Sequence, residues 1–323
     1  IVVLDEVHQI YIDMFRSLKI NKLYDKLNYC KGQIHITATP NKLNFEEYNY
    51  ILEYKQEKQT DYKVNLYNKI DDEKIIEIIS NSKKFALFKN DKKYLDFIKE
   101  TVTNKNIDVI TSNTRDFSKC YKDIVFNSNM GNIQGLCNTS VLVAGVNIYD
   151  HDITDIIIIG EKDIAQIKQY ISRFRDLKTV NIHIFNSYKD DSKIYEIEWR
   201  VQQVTDEISG LIEGFNRVKP KDNFILEELE IKPLRLENSN FYYLDETTNR
   251  YVVNEIGIRN HVYTNYYNKS TIESYKVILG EYFSNIKIVN LDDSKNAARK
   301  KYNEVVKLEQ EEILKDLESN KNK

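Results

Sequence analysis

Residues 62–187 alternate short apolar runs with segments of helical spacing, and this alternation restricts the fold more than any other feature of the sequence. Phe85–Phe88 and Asp155–Ile159 are two such runs, and the helical segment Tyr94–Val102 follows the first of them. Strands that alternate with helices form mostly parallel sheets covered by helices on both faces. We therefore predict an α/β fold, with one complete lobe over residues 61–190.

The flanking regions differ from this lobe. Ile1–Leu4 is a continuous apolar run, which is typical of a strand buried on both faces, and residues 1–60 are predicted to be the C-terminal part of a similar lobe. Residues 191–323 carry a long apolar helical stripe and a hairpin-like stretch at Phe241–Val253. They predict a mainly α-helical C-terminal extension with a small hairpin.

Composition excludes several classes of protein. The net charge is −3, from 47 basic and 50 acidic residues, so a surface that binds nucleic acid must be local. Cys30, Cys120 and Cys137 are far apart in the sequence, which indicates free thiols in the cytoplasm and not a disulfide framework or zinc site. No apolar run reaches membrane-spanning length, and no membrane partner is expected.

Four short motifs carry residues suited to phosphate chemistry. In chain order they are DEVH at residues 5–8, TAT at 37–39, NTS leading into AGVNI at 138–148, and QYISRFR at 169–175. Each has an ordinary structural explanation when taken by itself; for example, the acidic pair in DEVH suits the first turn of a helix. Their order favours a shared catalytic role.

In this order the motifs resemble those of the superfamily 2 helicases and translocases of the DExH type. DEVH resembles motif II, TAT motif III, the stretch from Thr139 to Ile148 motif V, and QYISRFR motif VI. The resemblance covers about residues 1–187 and implies RecA-like lobes, ATP and Mg²⁺ as cofactors, and a nucleic-acid partner, DNA in preference to RNA.

Motif VI departs from the common form QxxGRxGR. Ser172 stands in place of its first glycine, and the second arginine follows Gln169 by six positions. The compact form resembles that of viral origin-binding-protein helicases. It implies replication or phage proteins as partners, in the cytoplasm of a bacterial or phage-infected cell, and it leaves open which arginine acts on the phosphates.

The resemblance implies roles for the first two motifs. Asp5 would hold Mg²⁺, Glu6 would orient the attacking water, and His8 would sense the γ-phosphate. Thr37 and Thr39 would relay the nucleotide state between the two lobes.

It also implies roles for the last two motifs. Gln169, Gly145 and Asn147 would contact the nucleotide or bridge the lobes. Arg173 and Arg175 would reach the phosphates, where an arginine stabilises transition-state charge.

Nucleic acid is expected to contact Thr111, Ser112, Arg115, Thr139 and Ser140. Their hydroxyl groups, guanidinium and backbone N–H groups suit phosphate oxygens, in contacts that are salt-dependent and largely independent of sequence. The alternative, that the segment around Thr111 is an ordinary polar loop between strand and helix, stays open.

The sequence contains no GxxxxGK[ST] loop to cradle a triphosphate. We therefore expect the chain to be the C-terminal portion of an ATP-dependent helicase, with this loop in a missing N-terminal half, and to be inactive by itself. Two alternatives stay open. One is a translocase or ATPase subunit that does not unwind, and the other is a non-catalytic module for nucleic-acid binding or assembly.

Overall fold

The computed structural model describes residues 1–5, 19, 22–23, 26–36, 49–52, 60–142, 146–189, 197–218, 241–245, 248, 250–268 and 270–291. The chain divides into two compact units. One unit comprises Ile1–Ile51 and Asp191–Lys269, and the other, the sheet unit, comprises Leu52–Asp190 and Ser270–Lys323.

The described elements follow one another in a strand–helix rhythm. The strands are β1 (Val2–Leu4), β2 (Gln33–His35), β3 (Asp61–Tyr67), β4 (Phe85–Phe88), β5 (Ile107–Ile110), β6 (Gly135–Asn138), β7 (Asp155–Ile159), β8 (Thr179–Phe185), β9 (Tyr242–Asp245), β10 (Arg250–Val253) and β11 (Ile286–Val289). The helices are α1 (Asp72–Asn81), α2 (Lys92–Thr101), α3 (Lys119–Asn127), α4 (Ile164–Ile171), α5 (Ile197–Val218), α6 (Glu255–Asn268) and α7 (Ile272–Leu279), with a 3₁₀ turn at Ser140–Leu142.

The sheet unit contains a seven-stranded sheet in the order β11-β3-β8-β7-β4-β6-β5. Every neighbouring pair in it is parallel. The predicted α/β fold with a parallel sheet is therefore confirmed for this unit. Because all seven strands point the same way, the segments that follow them meet at one edge, called here the carboxyl edge, which includes Lys89, Thr111, Thr139 and Gly160.

The central strands are buried along their whole length. All residues of β4, β6 and β7 are buried, which is the pattern expected where helices cover both faces of a parallel sheet. The first four helices each begin at a side chain that accepts a hydrogen bond from the first turn. These N-cap residues are Asp71, Asp91, Ser118 and Asp163.

Three buried polar side chains connect β3, β8 and β7. His183 lies 3.0 Å from the hydroxyl of Tyr67 through Nδ1 and 3.0 Å from Asp155 through Nε2. Asp155 also accepts hydrogen bonds from Thr154 and Asn181. A buried network with these partners helps to fix the register of the three strands, because a shift of register would leave its members unpaired.

The structure differs from the predicted boundary between the second lobe and the extension. Residues 270–291 belong to the sheet unit, where β11 pairs with β3 from Ile286↔Val64 to Val289↔Tyr67. The segment continues the helix–strand rhythm of residues 62–187, but the chain reaches it only after α5, β9, β10 and α6. A boundary drawn where the rhythm is first interrupted therefore misses the seventh strand.

Two further elements lie where the sequence shows no clear period. α3 and β6 occupy a stretch between Thr111 and Asn138 that lacks an extended apolar run. The predicted strands at Phe85–Phe88 and Asp155–Ile159 and the hairpin near residues 241–253 are confirmed.

The other unit contains a parallel pair, β1 with β2, and a helix–hairpin–helix segment. In that segment Val201 and Val204 of α5 pack with Ile258 and Val262 of α6. The side chain of Asn216 bonds both the N–H and the C=O of Tyr251, at 2.9 Å each, and so continues the pairing of the hairpin edge.

Other predictions fall partly outside the described residues. The apolar spacing of Ile10–Leu27 predicts a helix, of which only a few residues are described, and the charged helix that the sequence predicts beyond residue 294 lies wholly outside the described residues. The three cysteines are free, as predicted. In the described part of the chain, no helix combines the length and apolar character needed to cross a membrane.

Gly135→Ala is expected to destabilise the sheet unit. A Cβ at this position would lie 2.3 Å from Cζ of Phe85 and 2.9 Å from Cγ1 of Ile107, and both side chains are buried. Overpacking of this kind costs about 1–3 kcal/mol, measurable as a lower free energy of unfolding in urea. The control Gly210→Ala is in α5, where a Cβ has open space among the described residues, and should raise stability by about 0.5–1 kcal/mol. Equal effects of the two substitutions would contradict the packing.

Candidate functional site

The structure describes half of the motif residues that the sequence nominates for nucleotide chemistry. Asp5, Asn147, Gln169, Arg173 and Arg175 are among the described residues. Another five fall outside the described residues and stay predictions. They are Glu6, His8, Thr37, Thr39 and Gly145.

The strands before DEVH and TAT are parallel neighbours. Leu4 of β1 is level with His35 of β2, and the N–H of Ile36 donates to the carbonyl of Leu4 at 2.8 Å. Asp5 follows β1 directly and is exposed. Because the two strands run in the same direction, the residues that follow them start from the same edge of this pair.

The nucleic-acid candidates of the sheet unit start from the carboxyl edge, where β4, β6 and β5 are adjacent. The N–H of Thr139, after β6, donates to the carbonyl of Ile110 at the end of β5 at 3.2 Å. The N–H of Ser140 donates to the side chain of Asn90, after β4, at 2.9 Å. The sheet thus joins the segments after three strands at one place.

The loop at residues 111–117 is shaped by its own threonines. Thr111 is buried, and its Oγ1 accepts a hydrogen bond from the N–H of Asn113 and contacts Oγ1 of Thr114 at 3.2 Å. Ser112 and Arg115 are exposed, and Nε of Arg115 lies 3.5 Å from Asp116. Thr111 therefore shapes the loop, whereas Ser112 and Arg115 present polar groups to solvent.

We refer to Ser112, Arg115, Thr139 and Ser140 as the β5–β6 surface. Thr139 is half-buried and the other three residues are exposed. Hydroxyl groups and a guanidinium on adjacent loops can donate hydrogen bonds to phosphate oxygens.

The segments assigned to motifs V and VI pair with each other. An isolated parallel bridge joins Ile148 to Phe174. Ile148 donates to the carbonyl of Arg173 at 2.7 Å and accepts from the N–H of Arg175 at 2.8 Å. Beside this bridge, Nε of Arg175 donates to Oδ1 of Asn147 at 3.2 Å. Two motifs that are separated in the sequence thus form one structural element.

The two arginines of motif VI differ in exposure. α4 ends at Ile171, so both arginines lie beyond the helix. The side chain of Arg173 is buried, with 9% of the residue exposed, whereas Arg175 is exposed to solvent. Gln169, in the last turn of α4, is 3% exposed. Among these three side chains, Arg175 has the greatest access to a ligand in solvent.

The arginines lie toward the opposite edge of the sheet from the β5–β6 surface. α4 begins after β7 at the carboxyl edge and leads back along the sheet. The carbonyl of Lys178, three residues beyond Arg175, accepts a hydrogen bond from the N–H of Asp61, so Lys178 lies where β3 and β8 begin. The sheet unit therefore carries its arginines and its β5–β6 surface at different ends.

A buried hydrogen bond joins the two regions. The hydroxyl of Tyr170, next to Gln169, donates to Oδ1 of Asn138 at 2.7 Å. Nδ2 of Asn138 in turn donates to the carbonyl of Thr139 at 2.8 Å. Both side chains are almost completely buried, and burial raises the pKa of Tyr170 well above its usual value. No role for Tyr170 follows from the sequence alone, although QYISRFR contains it.

Glu161 follows β7 at the carboxyl edge, directly before α4. Its Oε1 accepts hydrogen bonds from the N–H groups of Lys162 at 2.9 Å and Asp163 at 2.8 Å. Burial raises the pKa of this carboxyl to about 7, against the opposing effect of the two backbone N–H groups. The carboxyl therefore changes its charge near neutral pH, a property that sequence inspection does not reveal.

No cluster of three or more His, Cys, Asp or Glu side chains suited to hold a metal ion occurs among the described residues. Asp5 offers a single exposed carboxylate, which is an oxygen ligand of the type that Mg²⁺ accepts alongside water.

Comparisons with known proteins give matches at the level of structure. No protein-family model matches the chain, and neither does any curated protein. Similar solved structures include the Mycobacterium smegmatis helicase Lhr bound to ssDNA and AMP-PNP, which is 10% identical with a TM-score of 0.38. That match covers 78% of this chain and 41% of the helicase.

Two further matches are DEAD-box-type structures. S. cerevisiae Dbp5 bound to RNA and ADP BeF3 is 14% identical over 58% of this chain and 53% of that chain, with a TM-score of 0.39. A DEAD box protein from the hyperthermophile Methanococcus jannaschii is 18% identical over 57% and 53%, with a TM-score of 0.34. This chain spans about half or less of the length of these proteins. Because the TM-scores are below 0.5, the likenesses carry no argument about function, which has to come from this chain's own residues.

Tyr170→Phe is expected to lower the free energy of unfolding by about 1–3 kcal/mol. The substitution keeps the ring between Phe88 and Phe174 but leaves Oδ1 of Asn138 buried without its donor. Urea unfolding measures the change. Tyr149→Phe, at a position 47% exposed, is the control and should stay within about 0.5 kcal/mol of the parent. Parent-like stability of Tyr170→Phe would show that the bond contributes nothing.

Glu161→Gln is expected to reduce the loss of stability that accompanies rising pH. A carboxyl with a raised pKa stabilises the fold below its unfolded value of 4.5, and this contribution is lost as pH rises through about 7. The free energy of unfolding of the variant, measured relative to the parent, should therefore rise by about 2 kcal/mol between about pH 5 and pH 8. Urea unfolding at both pH values tests this, with the exposed Glu77→Gln as control. A gain that does not change with pH would contradict the assignment.

Proposed function

We propose that this chain is the C-terminal portion of an ATP-dependent nucleic-acid helicase, in which the sheet unit is a RecA-like lobe. The ordered motifs support the proposal, and the observation that carries it is the bridge between Ile148 and Phe174. This bridge joins the two segments that resemble motifs V and VI.

We place nucleic acid on the β5–β6 surface. Its hydroxyl groups and the guanidinium of Arg115 would bind phosphates of a single strand, so affinity would fall as salt rises. Thr111, nominated with them from the sequence, is assigned a supporting role because its hydroxyl is engaged within the loop.

We assign the phosphate contact of motif VI to Arg175, with Arg173 as a positioning residue. A guanidinium has five N–H donors, and the bond to Asn147 uses one of those on Arg175. Both arginines hold the bridge to Ile148 through their backbone, but Arg173 is buried whereas Arg175 is exposed. An arginine at the phosphates raises the rate of phosphoryl transfer by roughly 10³–10⁵ where it has been measured.

We assign a part in ATP hydrolysis to the first two motifs. Asp5 would hold Mg²⁺ through its exposed carboxylate, and the ion, when bound, would neutralise charge on the phosphates. Glu6 would orient the attacking water, His8, Thr37 and Thr39 would report the nucleotide state, and Gln169 and Gly145 would support nucleotide binding, all as the resemblance implies.

The hydrogen bond from Tyr170 to Asn138 is the proposed link between the two activities. It connects the helix that leads to the arginines with the strand that leads to Thr139. A displacement of α4 on nucleotide binding would therefore shift the loop at Thr139, which is proposed to contact the nucleic acid, through this single buried bond.

Glu6→Gln, in a protein that joins this chain to a phosphate-binding loop, is expected to reduce ATP turnover by about 10²–10⁴-fold while sparing ATP binding. The amide keeps the size of the side chain but cannot accept a proton from water. Steady-state hydrolysis and equilibrium binding of ATP measure the two effects, and Glu207→Gln, at an exposed position of α5, is the matched control.

Unchanged turnover in Glu6→Gln would remove the motif II assignment. Strand-displacement and triplex-displacement assays on the active protein separate a helicase from a translocase that does not unwind. Binding of nucleic acid without any hydrolysis would favour the non-catalytic module.

A further inference from the structure

Phe117 is 86% exposed, although it is a large apolar side chain. It stands in the loop that follows β5, two residues after Arg115 and immediately before Ser118, the N-cap of α3. Leaving so much apolar surface in water is unfavourable, and an exposed ring offers a flat face on which an unpaired base can stack.

Hydrogen bonds within the loop hold the backbone at Phe117. The carbonyl of Thr114 accepts hydrogen bonds from the N–H groups of Phe117 at 3.1 Å and Ser118 at 3.0 Å. The hydroxyl of Ser118 donates to Asp108 of β5 at 2.7 Å. The position of Phe117 is therefore fixed on both sides by hydrogen bonds.

The neighbours of Phe117 are suited to a phosphate backbone. Ser112 and Arg115 belong to the same loop as Phe117, and Thr139 of the adjacent loop bonds Ile110 at the end of β5, where this loop starts. Single-stranded nucleic acid is bound by this combination, in which cations and hydroxyl groups follow the backbone while aromatic rings stack on bases. A duplex offers its phosphates but keeps its bases stacked inside.

We propose that Phe117 is a stacking platform for an unpaired base, so that the ligand of the β5–β6 surface is single-stranded nucleic acid. The proposal rests on the proposed function and goes beyond it, because no motif of the sequence assigns Phe117. Phosphate contacts by Ser112, Arg115, Thr139 and Ser140 position the strand, and the ring discriminates unpaired bases from a duplex.

Phe126 provides a matched control on the same segment. It is 80% exposed and lies at the end of α3 remote from the loop, eight residues beyond the N-cap. If exposed aromatic surface alone attracted nucleic acid, Phe126 and Phe117 would contribute equally.

The first experiment measures binding of a fluorescent single strand of about 12 nucleotides to the full chain by anisotropy. Phe117→Ala is expected to weaken binding by about 5- to 100-fold, because stacking on one base is lost. Phe117→Trp should retain the affinity, and Phe126→Ala should leave it unchanged. Thermal unfolding of each variant confirms that it folds.

Salt dependence separates the ring from the charges. Phe117→Ala should leave the slope of log affinity against log salt unchanged, whereas Arg115→Ala should reduce it by about one. Asp116→Asn, which removes the carboxylate beside Arg115, should strengthen binding.

The second experiment observes stacking directly. Trp199 is the single tryptophan of the chain, so Trp199→Phe combined with Phe117→Trp places the indole fluorescence at position 117 alone. A single strand should quench this fluorescence, and an abasic strand of equal length should not, although it carries the same phosphates.

Each outcome decides a different claim. If Phe117→Ala binds as the parent does, or if the abasic strand quenches equally, the stacking role is overturned while the proposed function stands. If the parent binds no single strand at any salt concentration, the proposed function itself fails. If Phe117→Ala instead abolishes self-association of the chain seen by light scattering and leaves strand binding unchanged, Phe117 is a protein-docking residue and the inference is wrong.

Discussion

Parallel hydrogen bonding across the sheet is the constraint on which the sheet unit depends. Six strand pairs in succession run in the same direction, from β11 to β5. Every segment that follows a strand therefore starts from one edge, and every segment that precedes a strand ends at the other. This geometry gathers the segments after β4, β5 and β6 at the carboxyl edge and takes the arginines, which precede β8, toward the opposite edge.

Two specific contacts connect these ends. The bridge of Ile148 to Phe174 fixes the segments of motifs V and VI to each other, and the bond of Tyr170 to Asn138 ties α4 to the end of β6. A helical side chain points back toward the N-terminus of its helix, so Tyr170, near the end of α4, can reach a strand end at the carboxyl edge. The buried position of this bond makes it costly to break, so it holds the end of α4 against the end of β6.

The sequence predicted the alternation of the sheet unit well because long apolar runs and regular helical spacing report burial directly. Phe85–Phe88 and Asp155–Ile159 have the predicted bounds. β6 was missed because it is four residues long and begins with Gly135, whose lack of a Cβ is needed beside Phe85 but carries no apolar signal. β11 was assigned to the extension because its place in the sheet depends on pairing with a strand more than 200 residues earlier.

The candidate site shows the same limit. The ordered motifs nominated these segments, but spacing could not show that α4 ends between Gln169 and the arginines, which leaves Arg173 buried and Arg175 exposed. The burial of Thr111 and the exposure of Phe117 both arise from the turn that follows β5, and neither follows from residue type. Periodicity reports which side chains face a core, whereas the details of a loop depend on its own hydrogen bonds.

Hydrogen–deuterium exchange on the chain with and without a single-stranded oligonucleotide tests the central claim most directly, since it reports protection along the backbone without any substitution. The account predicts new protection in residues 111–117 and 139–142, at the carboxyl edge, and unchanged exchange in residues 176–178, which precede β8. Protection confined to residues 176–178, or absent from the sheet unit under conditions where the strand is bound, would contradict the assignment of nucleic acid to the carboxyl edge.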